Sequence, residues 1–99
     1  MQKILSFTFR GEYYDINEQG HIKANGSKSF SSTWVFLGGT KHHWSNRIDI
    51  NLKQAFENPK LLNGCLGWDL DHGTIRQWGG SFYGKLPRIL NAYVKTIDN

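Results

Sequence analysis

The residues best placed to do chemistry lie close together in the chain. Asp69, Asp71, His72, Arg76 and Trp78 fall within residues 69–78, and His42, His43 and Trp44 form a second polar and aromatic cluster. Asp69 and Asp71 are two residues apart, so on a strand they share a face with backbones roughly 7 Å apart. That spacing suits an acid and base pair or a shared cation. His42, His43 and His72 add imidazoles of the kind that bind zinc and other divalent ions.

The spacing argues against both chemistries. Adjacent His42 and His43 would point to opposite faces of a regular strand, and Asp69 has Arg76 as its expected cross-strand partner. Asp71 precedes a tight turn, where Asp commonly bonds the turn backbone. No helical pair of histidines and no CxxC spacing occurs. No Ser or Cys stands in a nucleophile-elbow context, and Cys65 beside Leu66 reads as a small buried side chain. The expectation is therefore no catalytic residue, no metal and no cofactor.

A third chemistry fits the same residue types better. Trp78 and Trp44, with Tyr83, can present flat apolar rings, while Asp69, Asp71, Arg76, His42, His72 and Asn46 offer hydrogen-bond donors and acceptors beside them. The CH faces of sugars stack on indole and their hydroxyls need partners of both kinds, so the set matches a carbohydrate or similar hydroxylated ligand. The favoured expectation is a non-catalytic binding domain using Trp44, Trp78, Asp69, Asp71, Arg76, His42 and His72. One alternative is a metal-dependent hydrolase or nuclease built on Asp69, Asp71 and His72. Another is a protein that binds single-stranded nucleic acid or a protein partner.

These residues need elements to hold them. His72 and Gly73 can fill a two-residue primed turn, since Gly takes positive φ freely and His is enriched there. The expected hairpin sets Leu70 opposite Ile75, Asp69 opposite Arg76 and Trp68 opposite Gln77. Leu66, Trp68, Leu70 and Ile75 then share a core face, and Asp69, Asp71, Arg76 and Trp78 share the other. Upstream, Leu5, Phe7 and Phe9 alternate with Ser6, Thr8 and Arg10 as a half-buried strand that Gly11 ends. Residues 13–16 and 21–24 flank a loop closed by Gly20 as a second hairpin, giving a three-stranded meander. Asn25 and Gly26 mark a further turn, and residues 27–32 read as a polar connection anchored by Phe30.

Residues 33–37 are apolar on both faces, which predicts a central, doubly covered strand carrying Trp34 and closed by Gly38 and Gly39. Residues 40–46 are expected on a loop or strand end near the main hairpin, and residues 47–50 alternate as a strand. Asn51 and Gln54 have the spacing of a capping box for a short helix with Leu52, Ala55 and Phe56 buried and Pro59 as its stop. Pro87 can open a second helix that places Leu86, Ile89, Leu90, Tyr93, Val94 and Ile97 on one face. The whole is expected to be mainly β. A small antiparallel sheet, sandwich or barrel would carry one or two short helices, becoming α+β if the C-terminal segment is helical.

Composition bounds the rest. The 99 residues suffice for one domain, 1–99, with roughly a third of its unfolded-chain surface left exposed. Four Trp, four Tyr and six Phe exceed what a core of this size needs, which leaves aromatics for ligand contact. The net charge of +4 favours anionic partners only if the charges cluster, and along the chain the Lys and Arg residues are spread out. Acidic residues also stand in the most site-like stretch and the RNP aromatic pattern is absent, so nucleic acid ranks below a glycan. A single Cys excludes an intrachain disulfide and suggests a reducing, cytoplasmic setting, and the start of the chain shows neither a signal peptide nor a membrane span. Ile48, Asp49, Ile50 and Asn51, followed by Phe56, Glu57 and Asn58 and by Leu66, Gly67 and Trp68, resemble segments of the cyanovirin-type lectins. The bridging cysteines and the internal repeat of those lectins are missing here, so no binding residue is carried over.

Overall fold

The computed structural model describes residues 1–43, 46–65, 67–70 and 88–98, with backbone alone at 42, 43 and 67–70. The protein is mainly β, as its patterning implies. A four-stranded antiparallel sheet has the order β3-β2-β1-β7 and a three-stranded one the order β5-β4-β6. The strands are β1 (Gln2–Phe9), β2 (Glu12–Asn17), β3 (Ile22–Ala24), β4 (Phe36–His43), β5 (Asn46–Asn51), β6 (Gly67–Leu70) and β7 (Leu90–Ile97). A helix α1 (Leu52–Glu57) and a 3-10 turn at Pro59–Leu62 lie between β5 and β6 in the chain. Among the described residues no barrel closes, and no helix there is long and apolar enough to cross a membrane.

The meander forms as its alternation predicts. Phe9 pairs with Glu12, and between them Arg10 at φ 54° and Gly11 at φ 77° make a tight turn with both central residues left-handed, whose twist matches that of the strands. Ile16 pairs with Ile22 across the second hairpin. Leu5, Phe7, Phe9, Ile16 and Ile22 face Phe36, Ile50, Ala55, Leu62, Cys65, Ile89 and Ala92 in one core supplied by both sheets. Strand β1 is covered more fully than its alternation suggests. Ile4 and Ser6 on its second face are also buried, because β1 sits between two strands and Asp15 of β2 accepts the Ser6 hydroxyl at 2.5 Å.

Three expectations change. Gly38 and Gly39 do not close a strand over 33–37. They lie inside β4, which starts at Phe36 and runs to His43 in the middle of the smaller sheet. A Cβ on Gly38 would stand 1.9 Å from the Ile50 carbonyl oxygen, so glycine is there for close strand approach rather than to end the strand. Residues 40–43, expected at a loop or strand end, continue β4. Thr33 and Trp34 consequently fall outside the strand, and Trp34 is 40% exposed.

The third correction is at the C-terminus, where residues 90–97 form strand β7 along β1 instead of a helix. Thr8 pairs with Leu90 and Ser6 with Tyr93, so β7 carries one extra residue opposite Phe7. Asn91, at φ 55°, absorbs this bulge, and the Asn63 side chain accepts the Ala92 N–H at 2.9 Å. Buried Ile89 and Ala92 are therefore three apart, a helical interval produced by a bulged strand. Tyr, Val, Thr and Ile are at home in that strand.

The capping box is present as read. The Asn51 side chain accepts the Gln54 N–H and the Gln54 side chain accepts the Asn51 N–H. Ala55 is fully buried, and Leu52 and Phe56 pack partly against the core.

Candidate functional site

Of the residues singled out from the sequence, Trp44, Asp71, His72, Arg76 and Trp78 lie outside the described residues, as does the return strand of the main hairpin. Asp69 and His42 are placed by their backbones. Strand β6 pairs with β4 so that Asp69 stands opposite Gly38 and Trp68 opposite Gly39, while His42 stands opposite Arg47 of β5. The positions of Gly38 and His42 are separated by about 13 Å of strand. Next to them, Asp49 accepts the Thr40 hydroxyl at 3.0 Å and the Arg47 Nε–H at 2.9 Å. Among the described residues no group of three His, Cys, Asp or Glu side chains is arranged to hold a metal ion.

The described surface offers a different site, built from residues read in the sequence as structural. A groove of about 540 Å³ runs over β3 and the segment that follows it, with Tyr14, Phe30 and Trp34 as its aromatic walls. Ser27, Ser29, Ser31 and Ser32 line it as well, with Ile22 and Ala24 at its base. None of these side chains carries a formal charge at neutral pH.

Local chemistry holds the groove in shape. Asn25 and Gly26 turn the chain, Gly26 at φ 88°, and the Ser27 N–H closes the turn on the Ala24 carbonyl at 3.0 Å. The Ser31 N–H then donates to the Ile22 carbonyl at 2.8 Å, fastening the loop to the edge of β3. Ser31 Oγ accepts the N–H groups of Thr33 at 3.2 Å and Trp34 at 3.0 Å, a side-chain turn that fixes where the indole leaves the backbone. Beyond it, Val35 bridges to His21 and the Phe36 N–H donates to the Gly20 carbonyl at 2.7 Å. Gly20, at φ 87°, is needed there because a Cβ would stand 2.8 Å from the Phe36 carbonyl oxygen.

The aromatic walls are supported from behind. Phe7 packs 5.5 Å from Phe36 and 6.0 Å from Tyr14, centroid to centroid, so Tyr14 has one edge on the core and the other in the groove. Burial, helped by the Glu12 carboxylate that accepts its hydroxyl, raises the Tyr14 pKa above the usual phenol value, keeping the group neutral. Lys23 places its ammonium 5.4 Å from the centre of the Phe30 ring.

The serine hydroxyls are divided in use. Ser31 is committed to the backbone, while Ser27, Ser29 and Ser32 are exposed and their hydroxyls make no hydrogen bond among the described residues. Three rings thus stand beside hydroxyls that can each donate and accept. A groove of about 490 Å³ between α1 and the start of β1 is lined instead by Lys3, Glu18, Lys53 and Glu57, with Phe56 as its one aromatic. Flexible charges of both signs give it no comparable platform. The signal for the first groove was in the sequence. Four serines alternate with or adjoin Phe30 and Trp34 across 27–34, although assigning Trp34 to a buried strand concealed it.

Comparison with family descriptions, curated proteins and solved structures finds no match. Function is accordingly read from the geometry.

Proposed function

We propose that this is a non-catalytic binding domain for a neutral carbohydrate, seated in the groove between Trp34, Phe30 and Tyr14. The observation that carries the reading is Trp34: a large indole, 40% exposed, whose backbone N–H is held by the Ser31 hydroxyl and which is bordered by uncommitted serine hydroxyls. What distinguishes this ring from a singly exposed apolar residue is that it meets Phe30 and Tyr14 in one groove. A sugar ring would lay its CH face on the indole and direct hydroxyls to Ser27, Ser29 and Ser32. Anchoring by Ser31 means that little ordering remains to be done on binding, which favours affinity from a shallow surface.

The groove-lining side chains are uncharged, but Lys23 stands over the Phe30 ring as a lysine would on a nucleic-acid surface, so the salt dependence of binding is what separates the two readings. The test is a glycan array followed by titration of the best neutral sugar. Trp34→Ala should weaken binding by at least about tenfold while shifting the melting temperature by less than about 2 °C, because the ring is outside the core. Unchanged binding by Trp34→Ala removes the proposal. Binding to oligonucleotides that collapses with added salt would replace it with the nucleic-acid reading.

A further inference from the structure

We infer that the binding site is longer than the groove and continues around the turn at Asn25 and Gly26, so that its occupant is a neutral oligosaccharide rather than a single sugar ring. The inference rests on the carbohydrate reading of the groove. A pocket of about 130 Å³ lies beyond β3, lined by Tyr13, Asp15, Lys23, Asn25 and Ser27 among others. Ala24 and Ser27 line both this pocket and the groove, which makes the two surfaces contiguous. Lys23 also spans them, with its ammonium 3.8 Å from Asp15 in the pocket and 5.4 Å from the Phe30 ring centre in the groove.

The pocket repeats the chemistry of the groove on a smaller scale. Tyr13 is 62% exposed and supplies a flat ring, as Trp34 does in the groove. The Asn25 side chain can both donate and accept, and Lys23 can donate beyond its contact with Asp15, whose carboxylate already takes the Ser6 hydroxyl. Lys23 at 3.8 Å and Lys95 at 3.6 Å both lie against Asp15, so the pocket keeps a net positive charge, and the neutrality of the occupant is set by the uncharged lining of the groove. The turn at Asn25 and Gly26 separates the two surfaces. At Gly26 a Cβ would meet nothing within 4 Å, and the N–H groups of Asn25 and Ser27 are already used by the Tyr13 and Ala24 carbonyls. At this volume the pocket holds only part of a ring, so it adds to an occupant already seated in the groove and does not bind one alone.

The experiment compares dimers with pentamers by calorimetric titration, using cellobiose with cellopentaose, maltose with maltopentaose, and diacetylchitobiose with its pentamer. In the series that binds, the pentamer should be at least about tenfold tighter, beyond the few-fold statistical gain from repeated registers. Tyr13→Ala and, separately, Asn25→Ala should reduce that ratio to below about threefold and leave dimer affinity unchanged, while Tyr13→Phe should preserve it. Equal affinity of dimer and pentamer, or a ratio unmoved by both Tyr13→Ala and Asn25→Ala, overturns the extended site and leaves the groove reading standing. Failure of every sugar at either length overturns both.

Discussion

The two sheets are held together by opposite means. In the four-stranded sheet, stability comes from side-chain volume: Leu5, Phe7, Phe9 and Ile16 are essentially inaccessible and fill the space beneath β1 and β2. In the three-stranded sheet, the equivalent middle strand β4 carries Gly38 and Gly39 where bulk would be expected. A Cβ on Gly39 would stand 2.9 Å from Leu62 Cδ2 and 3.1 Å from Cys65 Sγ, so the chain itself is the packing surface. One edge strand of that sheet is largely open, with Asn46, Arg47, Ile48 and Asp49 all exposed. A sheet can thus be fastened either by what it buries or by how closely its backbones approach, and the two arrangements fail differently on mutation.

Gly38→Ala should be the most damaging single change. Its methyl group would overlap the Ile50 carbonyl at 1.9 Å, and because the neighbours it meets are β5 backbone no flexible side chain can yield. A loss of about 5 kcal/mol or more is expected, read as absence of a cooperative melting transition. Retention of a native-like melt would show that β4 and β5 can separate, and the contrast between the sheets would lapse. Phe7→Ala attacks the other sheet, removing a ring that touches both Phe36 and Tyr14. It should cost about 3–5 kcal/mol in denaturant titration, and weaken sugar binding because Tyr14 loses its support.

At the seam between the sheets, pH gives a finer probe. Burial pushes the Cys65 thiol from 9.0 up to about 11, with Lys41 acting in the opposite direction. The folded protein keeps this proton longer than the unfolded chain does. Its contribution to stability is therefore complete below pH 9 and is lost as pH rises through about 11. Stability measured across that window should fall, and Cys65→Ala should fall less steeply. The smallest stability effect should come from Asn51→Ala, which removes one half of the capping box where β5 passes into α1. About 1 kcal/mol is expected, seen as a modest fall in melting temperature with both sheets intact.

Much of this architecture was legible one element at a time. The alternation of Leu5, Phe7 and Phe9, the turn at Asn25 and Gly26, and the pairing of Asn51 with Gln54 are local rules, and each is satisfied where it was read. The misreadings have separate causes. At 89–97 a bulge changed the period of a strand into that of a helix, and the residue that stabilises the bulge, Asn63, comes from far along the chain. At 33–39 the glycine pair looked like a stop because a strand with no side chains to bury gives no periodic signal. Trp34 followed that error into an imagined core, which is why the groove was invisible while the residues lining it were in plain view.

By itself the sequence determined what short-range sterics and hydrogen bonding can settle: the β class, the meander, the capped helix and a surplus of aromatic rings. Tertiary structure alone decided that β1 would pair with the C-terminal strand and that β4 would run through its glycines. It also decided that Tyr14, Phe30 and Trp34 would meet around a row of serines. These outcomes depend on contacts between residues far apart in the chain, whose energies are realised only when the backbones come together and leave no trace in local periodicity.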